Sequence, residues 1–272
     1  MKRLLLTMLL LPVSAGAFAQ SSDAPAEDQR SSTWGLGLAV AVLDSPYAGE
    51  GTRVVPYPLI SYEGEHFYFR GITAGWNLWQ AGGLSVSAIA EPRMDGFDVS
   101  DLGRSELARN GIDYRLLENR DEGASVGLRG LWGGSAGQLE VKALADVTDA
   151  SGGQDASIQY GYPIQLWKGI LTPIAGAKWL SKDASNYFFG TLDEEVARGV
   201  VDYKPGAATI PRVGVSYYRP VGKKWSLIAN VDYSALPDKI RRSPLVEPDT
   251  DGTLTVFVGF SRGFVPWWMD DR

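Results

Sequence analysis

Along most of this chain apolar and polar residues alternate with a period of two, in short runs separated by turn-forming residues, and helical spacing is scarce. In residues 34–42 the even positions hold Trp, Leu, Leu, Val and Val, while the odd ones hold Gly, Gly, Ala and Ala. In residues 139–147 the odd positions are Leu139, Val141, Ala143, Ala145 and Val147, and the even ones Glu140, Lys142, Leu144 and Asp146, so one face is apolar and the other charged. The same alternation runs through 124–132, 158–166, 225–233 and 254–260, and more weakly through 55–62, 67–76, 84–93, 170–180 and 209–219. These runs predict eleven strands. A single-chain outer-membrane barrel has an even number, so that both termini face the periplasm. A twelfth strand is expected around 112–117. Ten remains the alternative, if the weak stretch before Trp76 is one bent hairpin arm.

The connections fall into two classes. Gly133 to Gly137, Trp167-Lys168-Gly169 and Val221-Gly222-Lys223-Lys224 are tight, whereas 95–123, 181–208 and 235–252 are long and polar. Short turns at one end and long loops at the other describe an all-β, transmembrane, antiparallel up-and-down barrel with short periplasmic turns and long extracellular loops. Alternation alone leaves open a soluble, lipocalin-like barrel with its apolar face inside. Two features favour lipid outside. Trp34, Trp132, Trp167 and Trp225 stand at strand ends, where an aromatic girdle belongs, and Glu140, Lys142 and Asp146 put full charges in mid-strand, where a dry core would not hold them.

Composition then sharpens the picture. Lys2 and Arg3 precede an apolar run at 4–13, and Ala17-Phe18-Ala19 supplies a small-x-small cleavage site, so residues 1–19 are expected to be a secretory signal peptide. That run is about half of the roughly 20 residues a membrane-spanning helix needs. With no cysteine, the chain can form neither a disulfide nor a lipidated N-terminus. The expected organisation is a disordered lead-in at 20–32, a barrel at 33–264 and a C-terminal extension at 265–272. Losing Lys2 and Arg3 with the signal takes the formal charge from −6 to −8, which argues against nucleic acid as a partner.

Several segments, in this order, resemble the MipA/OmpV family (MltA-interacting protein, outer-membrane protein V-like). They are Ser45-Pro46-Tyr47-Ala48-Gly49 with Pro56-Tyr57-Pro58 and Tyr62, Tyr187-Phe188-Phe189-Gly190 with Glu194, Glu195 and Val196, Tyr203-Lys204-Pro205-Gly206, and Ile240 through Ser243-Pro244-Leu245-Val246. The resemblance covers the expected mature chain up to Phe264. It implies a barrel in the cell outer membrane of a Gram-negative envelope. For one branch it implies a scaffold linking a lytic transglycosylase to a murein synthase in peptidoglycan maintenance, and for others a surface antigen, adhesin or envelope-stress protein. Members usually end on an aromatic residue. Phe264 takes that place here, and the extension adds Pro266, Trp267 and Trp268, either as an interfacial tail or as a periplasmic contact.

Candidate chemistry is sparse. His66 is the single histidine, next to a turn-like Glu63-Gly64-Glu65, and no Gly-x-Ser-x-Gly, Walker or dinucleotide-binding motif appears. No enzyme activity, cofactor or metal site is expected. Lumen-facing polar candidates are Arg129, Glu140, Lys142, Asp146, Arg212, Asn230 and Asp232, with the carboxylates expected to pair with the cations across a narrow lumen. Leu192, Val196 and Val200 would share the apolar face of a short helix, either packed over the barrel mouth or presented to a partner. Arg241 and Arg242 are candidates for lipopolysaccharide phosphates or a loop salt bridge. Trp267 and Trp268 are candidate partner contacts. The expected function is a non-enzymatic scaffold in contact with outer-membrane lipid and lipopolysaccharide. A small-solute channel, a ligand-binding barrel or a surface adhesin are the alternatives.

Overall fold

The computed structural model describes residues 34–264, and within them thirteen strands form one closed antiparallel sheet. In chain order they are β1 (Trp34–Asp44), β2 (Thr52–Glu63), β3 (Phe67–Arg70), β4 (Thr73–Ala81), β5 (Leu84–Arg93), β6 (Gly123–Gly134), β7 (Gly137–Asp146), β8 (Gln154–Gly161), β9 (Ile164–Leu166), β10 (Gly169–Leu180), β11 (Ala208–Val221), β12 (Trp225–Ala235) and β13 (Gly252–Phe264). Neighbours in sequence are neighbours in the wall, and β1 closes the barrel on β13 from Trp34↔Phe264 to Leu43↔Thr255. β8 and β9 share one continuous register on β10, Gly161 opposite Ile174 and Ile164 opposite Leu171. They are one stave, interrupted where Pro173 of β10 accepts from Tyr162 N–H but has no N–H to return to it. The wall therefore has twelve staves.

The twelfth stave does not come from 112–117. That stretch holds a single 3-10 turn, Tyr114–Leu116, and Ile112 and Leu117 are buried among the loops. It comes from a reversal inside 67–76, where Gly71 (φ 64°) and Ile72 turn the chain back and divide one weak run into β3 and β4. β3 is only four residues long, and Gly75 opposite Tyr68 leaves room for the tyrosine ring to lie across the strand pair.

Both described ends and the short turns lie at one end of the barrel, which faces the periplasm; the long connections lie at the other. Side chains sort accordingly. Leu38 (74 % exposed), Val54 (66 %) and their outward neighbours form an apolar belt, while Ala39, Ala41, Glu140 and Lys142 point into the lumen. At the periplasmic rim Trp34 packs on Tyr62 with ring centroids 4.9 Å apart, and Trp225 stacks on Phe260 at 4.7 Å. An exterior this apolar belongs in a bilayer. The described helices are short: α1 (Arg104–Arg109), α2 (Lys182–Phe189), α3 (Asp193–Ala197) and α4 (Asp238–Arg241), all in the outer loops.

Candidate functional site

The lumen carries paired charge on one wall. Arg129 on β6 donates from Nε to Glu140 Oε2 on β7 at 2.7 Å, and both side chains are buried. Lys142, one step along β7, meets Glu91 on β5 at 3.2 Å. Arg93 and Asp155 make a further buried ion pair at the outer end. On the opposite wall Arg212 reaches Asp232 at 2.7 Å. These positions alternate with lipid-facing ones, so each charge lies inside by register alone.

The pairing differs in two respects from the expectation: the pairs join strands of one wall rather than crossing the lumen, and Asp146 takes no part in them. Asp146 stands at the outer end of β7 and folds the 147–153 connection around itself, accepting from the backbone N–H of Thr148 (2.9 Å) and Ser151 (2.7 Å). The partner of Lys142 is Glu91, which the sequence pattern hid because 84–93 alternates small residues with apolar ones. Facing this wall, Ala39, Ala41, Leu43, Tyr57 and Phe257 form an apolar cluster inside the lumen.

Above the lumen the outer loops build the larger of the two main apolar cores. Tyr47, Phe97, Leu107, Phe188, Ile240 and Leu245 pack together with their neighbours, drawn from all four of the connections 45–51, 94–122, 181–207 and 236–251. Main-chain bonds stitch the loops: Ala48 N–H donates to Leu245 O, Gly103 N–H to Ala48 O and Arg120 N–H to Phe97 O, each at 2.9 Å. α2 begins on Ser181, whose Oγ accepts from Ala184 N–H as an N-cap.

The centre of this cap is an ion pair with both side chains fully buried, Arg120 to Glu195. The guanidinium meets both carboxylate oxygens at 2.8 Å and also donates to the carbonyls of Tyr187, Glu118 and Gly190. Glu195 accepts in addition from Glu118 N–H and Leu192 N–H. Burial pushes the Glu195 carboxyl up, but the hydrogen bonds and charge of Arg120 outweigh it, and the group is held below the usual carboxylate range. Asp95 behaves alike: burial raises it, and Lys178 at 3.0 Å together with Arg93 brings it below its ordinary value. Burial, reinforced by Asp95, pushes the Tyr47 hydroxyl up; that hydroxyl donates to the carbonyls of Asp95 and Phe188.

Between cap and lumen lies a cavity of about 250 Å³. Phe189, Leu180 and Leu236 roof it, and Leu43, Met94 and Phe257 line its side. Arg212, Asn230 and Asp232 stand on its polar wall. Asn230 Oδ1 and Arg212 Nε are buried without a hydrogen-bond partner.

The remaining candidates separate. α3 spans five residues, and its buried side chain is Glu195 rather than a stripe of Leu192 and Val196, which are half-buried; Val200 is buried beyond the helix end. Arg241 pairs with Asp251 at 2.6 Å, and Arg242 donates to Asp238 O at 3.3 Å on the outer surface. His66 is exposed in the β2–β3 turn, its ring 5.7 Å from that of Trp76. Trp267 and Trp268 lie outside the described residues, as do the expected signal peptide and lead-in. Among the described residues no cluster of His, Asp and Glu is arranged to hold a metal. Sequence reasoning missed Arg120, one charge within the polar run 118–122, and Glu91 and Arg93, which end the weakly alternating run 84–93.

The sequence relatives agree with an outer-membrane location. The chain is 31 % identical over 232 residues to Escherichia coli (strain K12) YiaT, described as an outer membrane protein, covering 84 % of this chain and 90 % of that one. It is 28 % identical over 228 residues to the MltA-interacting protein of the same organism, covering 83 % and 88 %. Among solved structures it is similar to the NanC porin, with 8 % identity, a TM-score of 0.45, and coverage of 84 % and 100 %. The model of the family described as MltA-interacting protein MipA matches residues 36–264, and this outer-membrane β-barrel belongs to that family.

Proposed function

We propose that this barrel is a non-enzymatic scaffold that holds a lytic transglycosylase, and with it a murein synthase, at the inner surface of the outer membrane. The observation that carries this reading is the packing of the outer loops over the mouth. An apolar core fills the position where a channel would open, and the lumen charges below it are matched in pairs. Such a barrel is poorly suited to conduct a solute along its axis, and it offers a partner a rigid periplasmic rim. The relative described as an MltA-interacting protein supports the identity of one partner.

A murein enzyme works in the periplasm. Leu192, Val196, Val200, Arg241 and Arg242 are at the far end and cannot touch it; Arg242 there is suited to a lipopolysaccharide phosphate. The rim supplies Trp167 instead. It is 79 % exposed at the tip of the two-residue turn between β9 and β10. Trp167 and Lys168 both adopt positive φ (47° and 64°), a turn geometry that ordinarily takes Asn-Gly. An exposed indole kept in a strained backbone position suits a contact, since such strain clusters at functional sites and Trp is a frequent interface anchor.

Crosslinking of the intact protein in its own envelope should recover a murein hydrolase or synthase, and the purified barrel should pass little current in planar bilayers. Trp167→Gly, which relieves the backbone strain, should lower recovery without lowering barrel stability. Stable ohmic conductance with no murein enzyme recovered would refute the scaffold. The cavity beneath the cap favours one second reading, a ligand-binding barrel.

A further inference from the structure

The barrel wall has a gap in its hydrogen-bond ladder. β2 pairs with β3 only at 61–63, and β4 pairs with β5 only up to Ala74↔Ala90. Among the described residues, no strand partner stands beside 52–60 of β2 or 91–93 of β5 on the sides that face each other. The short β3–β4 hairpin fills the wall up to Gly71, whose N–H reaches Ile60 O at 2.9 Å, and leaves a notch above it.

Both edges of the notch are made of proline. Ser45 N–H donates to Gly51 O, so the odd residues of β2 turn their backbone toward β1; the even ones face the notch, as Ile60 O confirms. Pro56 and Pro58 are even. On β5, Gly133 N–H donates to Gly83 O, so odd residues face β6 and even ones face β4 and the notch. Pro92 is even. Three N–H groups that would have pointed into the notch are therefore missing, and Thr52 and Val54, near the outer rim, are the β2 donors left above Pro56 on that edge. In hydrocarbon each unpaired backbone N–H or C=O costs several kcal/mol; the prolines remove three donors from the notch and leave the carbonyls of the same residues facing it. The same prolines bar an added strand from closing the gap.

The notch leads inward to apolar side chains. Val55, Leu59, Ile72 and Met94 pack against the luminal cluster of Tyr57 and Phe257, and Met94 also lines the 250 Å³ cavity. An apolar cavity of roughly 150 Å³ already accepts benzene. At the cavity's far side the unpaired Arg212 Nε donor and Asn230 Oδ1 acceptor await a group that can both accept and donate. The outer loops pack an apolar core over the axial route.

We propose that the notch is a lateral portal through which a single-chain amphiphile with a hydroxyl, amide or carboxylic-acid head passes between the outer leaflet and the cavity. The head reaches Asn230 and Arg212, and the chain runs along Phe257 and Met94 toward the notch. The proposal rests on the ligand-binding reading and is independent of the scaffold.

The test uses the full mature barrel in lipid vesicles with dodecanoic acid carrying a terminal diazirine, and a phosphatidylcholine carrying the same group. The fatty acid, supplied in the membrane, should label Phe257, Leu59 or Met94, and labelling of Phe257 should fall about tenfold in Met94→Trp, which fills the passage. Ile72→Trp gives a second plug should Met94→Trp fail to show heat-modifiable migration. Undiminished Phe257 labelling in a folded plug variant would overturn the portal while leaving a ligand-binding barrel in place. Labels confined to outward residues such as Leu38 and Val258 would overturn both. Equal luminal labelling by the phosphatidylcholine would overturn the single-chain assignment.

Discussion

Replacing Glu195 by alanine should open the cap and leave the barrel standing. The side chain is fully buried, as is that of Arg120. Its loss strips the guanidinium of both charge-assisted bonds and leaves the N–H groups of Glu118 and Leu192 without the carboxylate that accepts them. Breaking one side of a buried ion pair costs about 3–5 kcal/mol. The change is local, so it lowers the free energy of opening the loops rather than that of unfolding the strands. At about 1.4 kcal/mol per tenfold, amide exchange in the cap should quicken by roughly two to three and a half orders of magnitude.

Native-state hydrogen exchange read by fragment separates the two regions. The amides of Ala48, Leu107, Arg120 and Val196, all bonded within the cap, should lose protection, while those of β6, β7 and β12 should keep theirs. Arg120→Met with Glu195→Leu is the sharper control. A buried pair replaced by apolar residues is often neutral, but here the carbonyls of Tyr187, Glu118 and Gly190 would lose their donor at about 1–3 kcal/mol each. The double variant should therefore be no better protected than Glu195→Ala. Unchanged cap exchange in Glu195→Ala, or recovery in the double variant, would refute the reasoning.

Three further outcomes follow from the same geometry. Ala143→Arg, on the lipid face of β7, should cost about 2–4 kcal/mol and block assembly, whereas Leu144→Gln, one residue on and facing the lumen beside Tyr68 and Ile89, should still give a heat-modifiable barrel; equal behaviour would reverse the face assignment. Because Glu195 and Asp95 are depressed in the folded state, their stabilisation is present above the ordinary carboxylate range and is lost as pH falls through their folded values, so cleavage of the cap loops by an acid protease should rise below about pH 4 while strand circular dichroism holds. Pro58→Ala adds an N–H to an edge in hydrocarbon and should lower unfolding stability by an amount on the order of 1–3 kcal/mol, opposite to the gain usual when proline leaves a strand; a rise in denaturant midpoint would mean that the edge is covered.

The barrel was legible because period-two alternation follows directly from a wall with lipid on one side. Each of the eleven expected runs meets a strand, 67–76 and 158–166 meeting two apiece, and the tight and long connections fall at opposite ends. The missing stave was misplaced because Gly71 interrupts a run too short to show two periods. The cap was not legible by periodicity at all, since its core collects single residues from four separated loops. Yet the segments that carry the family resemblance meet there. Tyr47 bridges Val246, Thr191 exchanges main-chain and side-chain bonds with Tyr203, and Glu195 holds Arg120. Their spacing along the chain concealed a contiguous core, and Arg120, the group that joins them, has no sequence neighbour to announce it.

The prolines were legible in a way that strand assignment does not use. In a β-strand the direction of the backbone N–H alternates with the side chain, so Pro-x-Pro at 56 and 58 removes two donors from one edge and none from the other. Pro173 acts likewise on β10: its carbonyl accepts from Tyr162 N–H, so its missing donor faces the break between β8 and β9. In each case proline lies where the ladder stops. A polar substitution could weaken pairing at such an edge but would leave a donor exposed to lipid, whereas proline removes the donor itself. Spacing two prolines by an even number of residues within an otherwise alternating strand is thus a sequence mark of an interrupted barrel wall, and here it marks the stretch where, among the described residues, no strand pairs with 52–60 of β2 or 91–93 of β5 on the sides that face each other.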